Sequence, residues 1–430
     1  MPILTTAPRG TQDILPADIH KWQTVERLAV ETAALYGFAE TRFPTFEHTE
    51  LFTRSVGETT DVVQKEMYTF TDKGDRSLTL RPEGTASVVR SAIEHGLLND
   101  ALPLKVCYVT PCFRYEKPQA GRFREFHQFG IELFGAASPS ADAEVILVAL
   151  ALLRRLGIED LRVELNSIGC PNCRPLYHKA LRDYFAARKD ALCGTCHERL
   201  EKNPMRILDC KSPVCQEIAA GAPIGLDFIC DECRAHFQGL QARLDKVGVA
   251  YSVNPRIVRG LDYYTRTVFE IVSDKLGSQG TVCGGGRYDG LVGQLGGPPT
   301  PALGFGMGLE RLVAVMEANG LAFGAPKRCD LYLAALGEAA SVMALAIAER
   351  VRAEGFIAEI DLMDRSVKAS MKYAGKTGCA FSMVLGDNEL NAGKAALKNM
   401  KTGETVETDL ESGLMEQLYA GKRDDVIAAL

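Results

Sequence analysis

Two stretches of alternating sequence, Lys105–Glu116 and Phe123–Phe134, are joined by the short segment Lys117–Arg122, and this pairing limits the possible folds more than any other feature. Alternation at period two marks a strand, because successive side chains of extended backbone point to opposite faces. Pro118 and Gly121 in the connecting segment suit a long hairpin loop. On the second strand the odd positions Phe129, Ile131 and Leu133 define a core face, and Phe126, Gln128, Gly130 and Glu132 lie on the other. An amide and a carboxylate flanking a glycine form a floor on which a small polar ligand could be gripped at both ends. On the first strand Arg114 and Glu116 share a face. A solvated edge hairpin would carry the same pattern, so the floor needs support from the rest of the chain.

The flanking sequence reads as mixed α and β. Ala17–Tyr36 has apolar residues at helical spacing, Ser77–Leu80 is a short strand, and Gly84–His95 is a second helix. Ser140 is expected to cap an apolar helix reaching Leu156, and Leu161–Asn166 to form a strand. Composition then changes, for eight of the 13 cysteines fall between Cys170 and Cys233, in charge-rich, helical-looking sequence. The earlier style resumes at Tyr251, with a strand around Val268–Val272, a glycine-rich region Gly284–Gly308 and a helix from Leu309. Gly324–Lys327 reads as a linker. Beyond it, strands at Asp330–Leu336, Ile357–Asp361 and Phe381–Leu385 alternate with helices, which suggests a small α/β domain.

With 430 residues and 46% hydrophobic content, the chain is long enough for several cores. No run reaches membrane-spanning length and the start lacks a signal-peptide pattern, so a cytoplasmic protein without membrane contact is expected. A net charge of −6 argues against a nonspecific nucleic-acid coat and confines any RNA contact to local basic patches. Cytosolic thiols are kept reduced, so the cysteines need an explanation other than disulfides. Cys170/Cys173, Cys193/Cys196 and Cys230/Cys233 have the two-residue spacing of tetrahedral zinc sites, and Cys210 with Cys215 makes a fourth pair. Two Cys₄ sites of structural zinc and a metal-free helical module both fit this pattern.

Phe113-Arg114-Tyr115-Glu116, followed by Arg124-Glu125-Phe126-His127-Gln128, resembles the second motif of the class II aminoacyl-tRNA synthetases. Leu303–Arg311 resembles their third motif, and Arg42–Glu47 the weaker first motif, which builds the family's dimer interface. Arg259-Gly260-Leu261-Asp262-Tyr263-Tyr264 and Gly285-Gly286-Arg287-Tyr288-Asp289 are similar to strings of the histidyl-tRNA synthetase family. The resemblance implies an α/β chain: an α+β catalytic domain with a mixed, mainly antiparallel sheet (1–168 and 249–323), a helical insertion (169–248), and a small C-terminal α/β anticodon-binding domain (328–430). It also implies ATP and L-histidine as substrates, Mg²⁺, histidine tRNA as partner, and a cytoplasmic homodimer.

The same resemblance assigns roles. Arg114 and Arg259 would be catalytic, gripping the α-phosphate and the substrate carboxylate from opposite sides. Arg311 would stack on adenine near the γ-phosphate, Glu116 would hold the adenine amino group, and Arg122 would reach the terminal phosphate. Glu83 and Thr85 would take the α-amino group with help from Gln128; Glu83 could instead serve only the dipole of the following helix. Glu132, Tyr263, Tyr264 and Tyr288 would surround the imidazole. Guanidinium suits the task because it is always charged and binds phosphate or carboxylate through two parallel hydrogen bonds. The loop around Lys117 and Gln119 is expected to meet the extra 5′ guanosine of histidine tRNA. Arg365, Lys368, Lys372 and Lys376 are spaced for one helix face, which would be either a phosphate contact or a solvated basic face. A noncatalytic histidine-binding relative and a class II synthetase for another amino acid are the competing readings.

Overall fold

The computed structural model describes residues 5–57, 60–118, 121–273, 280–324 and 329–429. Gln119 and the linker residues Ala325–Lys327 lie outside them. The chain divides into two compact units, Met1–Gly324 and Ala325–Leu430.

The first unit is organised by an eight-stranded sheet. From one edge its strands run Ala39–Glu40, Leu104–Phe113, Glu125–Phe134, Ala302–Gly308, Thr281–Arg287, Thr265–Ser273, Leu161–Ser167 and Tyr251–Val253. The two edge pairs are parallel and every inner pair is antiparallel. The helices Ile19–Leu35, Pro139–Arg155 and Leu309–Ala318 cover one face, where Phe129, Ile131 and Leu133 join a large apolar core with Val145, Leu152, Phe305 and Leu312. The opposite face carries Gln128, Gly130 and Glu132, so the period-two reading of this strand holds. A second core, in which Val88, Val89 and Ala92 of the helix Thr85–Glu94 meet Tyr108, Phe134, Val268 and Tyr288, closes part of that face and leaves the rest for a site. A small sheet of Phe46–His48, Ser77–Leu80 and Tyr68–Thr71 lies beside it in sequence.

Two local expectations are corrected. The first hairpin strand ends at Phe113, so Arg114 and Glu116 lie beyond the ladder. The backbone turns away there because Phe113 N–H donates to the Arg81 carbonyl and Tyr115 N–H to that of Glu66. The helix expected to start at Ser140 starts at Pro139, where a missing N–H costs nothing, with Ser138 before it making no side-chain cap; the Ser140 hydroxyl instead accepts from Arg243 at 2.7 Å. The glycine-rich region supplies two central strands, Thr281–Arg287 and Ala302–Gly308.

Between Cys170 and Cys233 the chain forms the short helices Arg174–Ala186, Gly194–Lys202 and Pro213–Ala220 around their own small core, before the helix Asp231–Lys246 returns to the large one.

The second unit is a five-stranded sheet in the order Ala358–Ile360, Leu331–Ala335, Phe381–Leu385, Lys394–Asn399, Thr405–Asp409, parallel in its first three strands and antiparallel after. Its core is built by Leu331, Leu333, Ile347, Val351 and Leu385. Lys368, Lys372 and Lys376 are exposed on the helix Val367–Thr377, but Arg365 precedes that helix, pairs with Asp361 at 2.5 Å and stacks on Tyr373. The expected four-residue basic face is therefore a three-lysine face. Among the described residues, no helix is long and apolar enough to cross a membrane.

Candidate active site

The floor of the open sheet face holds a buried carboxylate. Glu132 is 1% exposed and accepts hydrogen bonds from the Thr85 hydroxyl at 2.8 Å, the Tyr108 hydroxyl at 3.1 Å, and the Tyr288 hydroxyl. Burial outweighs these donors and pushes the Glu132 carboxyl up to about 8. Tyr263 packs against both Tyr264 and Tyr288, with ring centroids 4.7 and 5.5 Å apart. The adjacent strand comes close because it is glycine: a Cβ on Gly304 would fall 2.0 Å from a Glu132 oxygen and 2.2 Å from the Ile131 carbonyl.

Glu83 sits at the rim of this pocket, buried, with its carboxylate accepting from the backbone N–H groups of Thr85 and Ala86 at 2.8 and 2.9 Å. It therefore caps the helix Thr85–Glu94 whatever else it binds. Burial raises its pKa, against the pull of those two donors. Gln128 accepts from Gly84 N–H at 3.1 Å, which fixes its amide beside the same turn.

The five residues expected at the nucleotide, Arg114, Glu116, Arg122, Arg259 and Arg311, line one cleft of about 460 Å³. Arg114 donates to the Pro82 carbonyl at 2.8 Å and its guanidinium lies 5.3 Å from the Phe126 ring. Glu116 lies between two of the arginines, 3.2 Å from Arg122 and 3.8 Å from Arg114. On the far wall Arg259 pairs with one Glu270 oxygen, the other accepts from the Thr281 hydroxyl at 2.9 Å, and the Thr281 carbonyl accepts from Arg311 at 2.5 Å. This relay of alternating charge and hydrogen bonds ties two of the arginines together across neighbouring strands. Burial works against the charge of Arg259, but Tyr264 and Glu270 hold its pKa above the ordinary value. Burial, with Arg122 nearby, lowers that of Arg311. The Arg259 Nε is buried with no hydrogen-bond partner among the described residues. Its guanidinium rests on Gly284, where a Cβ would come within 2.2 Å of Nη2.

Arg259 also joins cleft to pocket, 5.9 Å from the Tyr264 ring. Four contributors were not singled out from sequence. Tyr108 faces Gly130 in the hairpin register, Glu270 is the one charged residue of Val268–Val272, and Asp209 with Lys211 reaches the cleft from the insertion. Glu310 accepts from His127 N–H with both oxygens, at 2.9 and 3.0 Å, and so pins the helix that presents Arg311 to the hairpin.

A mainly antiparallel sheet with helices behind it, and with arginines from the hairpin and the last strand–helix junction converging on its open face, is the catalytic architecture of a class II aminoacyl-tRNA synthetase. A family model described as histidyl-tRNA synthetase matches residues 10–172 and 229–312, and one described as anticodon binding domain matches 330–416. The chain is 53% identical over 410 residues to a histidine–tRNA ligase of Acetivibrio thermocellus, covering 95% of this chain and 98% of that one. It is likewise 53% identical over 405 residues to that of Caldanaerobacter subterraneus, covering 94% and 97%. The crystal structure of apo Staphylococcus aureus histidyl-tRNA synthetase superposes with a TM-score of 0.82 at 39% identity, covering 96% of this chain and 100% of that one. This chain belongs to the histidyl-tRNA synthetase family.

Proposed function

We propose that this chain is a histidine–tRNA ligase, which joins ATP and L-histidine into histidyl adenylate with release of pyrophosphate and then passes the histidyl group to the 3′ end of histidine tRNA. The observation that carries the reading is the junction at Arg259, where a buried carboxylate ringed by hydroxyls meets a cleft lined with arginines. In the first step a histidine carboxylate oxygen bonds to the α-phosphorus as the bond to pyrophosphate breaks. The nucleophile is already ionised, so the barrier lies in bringing one anion onto another. Preorganised donors are the remedy, and each is worth roughly 3–4 kcal/mol in a transition state.

Arg114 and Arg259 face the α-phosphate and carboxylate from opposite walls. Arg311 lies against adenine and the γ-phosphate, Glu116 takes the adenine amino group, and Arg122 the terminal phosphate. Glu83, Thr85 and Gln128 receive the α-amino group. Glu132 accepts from one imidazole nitrogen, while Tyr263, Tyr264 and Tyr288 enclose the ring. Magnesium, when bound, would offset charge accumulating on the pyrophosphate oxygens; Glu270 and Glu310 put on the cleft wall the oxygen donors it takes. Zinc belongs to the same reading as a structural ion of the cysteine quartets, away from the reacting atoms.

Residues 169–248 form the insertion and 328–430 the anticodon-binding domain, whose three-lysine face is the phosphate contact. Lys117 and its loop meet the 5′ guanosine of the tRNA. The protein works in the cytoplasm as a homodimer, with the segment Arg42–Glu47 at the interface. Phe46, 51% exposed and 6.3 Å from the half-exposed ring of Phe70, offers the apolar surface such an interface needs. The test is exchange of labelled pyrophosphate into ATP across a panel of amino acids. Histidine should stimulate it, and stimulation by another amino acid in its place would overturn the reading.

A further inference from the structure

The eight insertion cysteines gather into two quartets, Cys170/Cys173/Cys230/Cys233 and Cys193/Cys196/Cys210/Cys215, each with its four sulfurs within 4.8 Å of one another. Zinc–sulfur bonds of about 2.3 Å place tetrahedral sulfurs about 3.8 Å apart. The separations Cys170–Cys173, Cys173–Cys233 and Cys193–Cys210 are 3.6, 3.9 and 3.8 Å. Backbone N–H groups already point at the sulfurs, from Cys230 to Cys173 at 3.1 Å and from Cys193 to Cys215 at 3.3 Å. Cys173, Cys193 and Cys230 each precede the first residue of a helix, where the dipole favours thiolate. Hydrogen bonds onto sulfur and helix N-termini together offset the negative charge four thiolates bring to one ion.

The quartets differ in what their neighbouring residues hold. The first stands at the root of the insertion. Arg174, next to Cys173, donates to the Tyr264 carbonyl, and Glu232, between Cys230 and Cys233, pairs with Arg266 at 2.5 Å. Arg266 has the left-handed φ of 51°, a costly conformation for a residue other than glycine, and exchanges backbone hydrogen bonds of 2.8 Å with Ile168 and Gly169. The root quartet thus clamps the segment that carries Tyr263 and Tyr264. The second quartet lies inside the insertion. Asp209 and Lys211, on either side of Cys210, line the arginine cleft, and Arg206 donates to the Gly260 carbonyl at 2.6 Å beside Arg259. The family model's match omits 173–228, the stretch that holds this inner quartet.

We propose that the insertion binds two structural zinc ions, each through four thiolates, and that they brace different substrates: the root ion the histidine pocket and the inner ion the nucleotide cleft. The proposal rests on the assignment of pocket and cleft made above. Each ion fixes the backbone around its cysteines, and a side chain within or beside that segment makes the contact with the site. Loss of either ion therefore loosens one substrate's binding before the other's.

The experiment uses the full chain. Elemental analysis of the purified protein should find about two zinc per chain, and cobalt substitution should give the visible bands of tetrahedral tetrathiolate cobalt; less than one zinc, or cysteines paired as disulfides, overturns the proposal. Cys233→Ser and Cys215→Ser should each lose one ion. The first should raise KM for histidine in pyrophosphate exchange roughly tenfold or more and the second KM for ATP by a similar factor, as expected for loss of a charged hydrogen bond. Both variants risk misfolding, so Glu232→Gln and Lys211→Ala, which keep all eight thiols, provide the second arm. They should retain two zinc and raise KM for histidine and for ATP respectively. Shifts that do not segregate between the substrates overturn the bracing roles while leaving the zinc count standing. Absence of histidine-dependent exchange in the unaltered protein would instead overturn the function, independently of the metal content.

Discussion

Replacing Glu132 by Gln separates the cost of burying a carboxyl group from its use. Glu132 is 1% exposed, and burial lifts its pKa from an ordinary 4.5 to about 8 despite the hydroxyls of Thr85, Tyr108 and Tyr288. A group that holds its proton more tightly in the folded chain stabilises the fold fully below its unfolded pKa. That contribution is lost as pH rises through the folded value, here between 4.5 and about 8. At about 1.4 kcal/mol per pH unit, the full swing is on the order of 4–5 kcal/mol. Glutamine keeps the shape and does not ionise. Whatever constant offset the amide introduces, the stability of the variant relative to the parent should therefore climb by several kcal/mol between about pH 5 and pH 8.5. Urea titrations read through tryptophan fluorescence suit the measurement, because the chain's one tryptophan, Trp22, lies in the core behind the sheet and reports on the first unit alone. Above about pH 8, where Glu132 of the parent is ionised, histidine affinity of the same variant should fall roughly 10- to 100-fold through loss of a charged acceptor. A difference in stability that is flat with pH, or a parent that gains on the variant as pH rises, would refute the reasoning.

Three further outcomes are expected. Arg259→His should slow histidine-dependent pyrophosphate exchange by about 100-fold or more while changing the histidine Kd by less than about fivefold, since its charge matters most in the transition state; equal losses would reduce it to a binding residue. Gly284→Ala forces a methyl to within 2.2 Å of Arg259 Nη2. Exchange should fall at least roughly tenfold as the guanidinium is displaced, with the urea midpoint at Trp22 little changed; parental activity would show that Arg259 works from another position. Arg287→Ala strips a fully buried guanidinium from Asp142, which it bonds at 2.7–3.0 Å, and should destabilise the first unit by about 3–5 kcal/mol. A change below about 1 kcal/mol would mean that Asp142 finds a sufficient partner in His236.

Legibility followed the side chains. The hairpin was plain because Phe129, Ile131 and Leu133 alternate with polar residues, and the helices because their apolar positions recur at three and four. The strands Thr281–Arg287 and Ala302–Gly308 stood only as part of a glycine-rich region, since glycines at Gly284–Gly286, Gly304, Gly306 and Gly308 have no side chains to alternate. They pair with their neighbours as strands, and Gly304, Gly306 and Gly284 are bare because Glu132, Gln128 and Arg259 occupy the space a side chain would fill. Tyr108 could have been found, as a large residue directly across the ladder from Gly130. Glu270 also left a trace, as a lone charge in Val268–Val272, but only the fold supplies its partners, Arg259 outside the strands and Thr281 on the neighbouring one. The four cysteine pairs were visible by spacing, whereas their grouping depends on where the helices between them turn.

The bare backbone at Gly304 has a consequence for how substrate preference can change. A wall already reduced to main chain can be moved inward by mutation but never outward, since no residue is smaller than glycine. Selection for a bulkier amino acid would find no purchase on the floor and would have to act on the tyrosines at 108, 263, 264 and 288, which also order one another. On the proposed assignment smaller amino acids meet the converse difficulty, for they would leave those hydroxyls and the carboxyl of Glu132 in a buried pocket without the ring that completes them. Drift in either direction is thus blocked by different means, one geometric and one energetic.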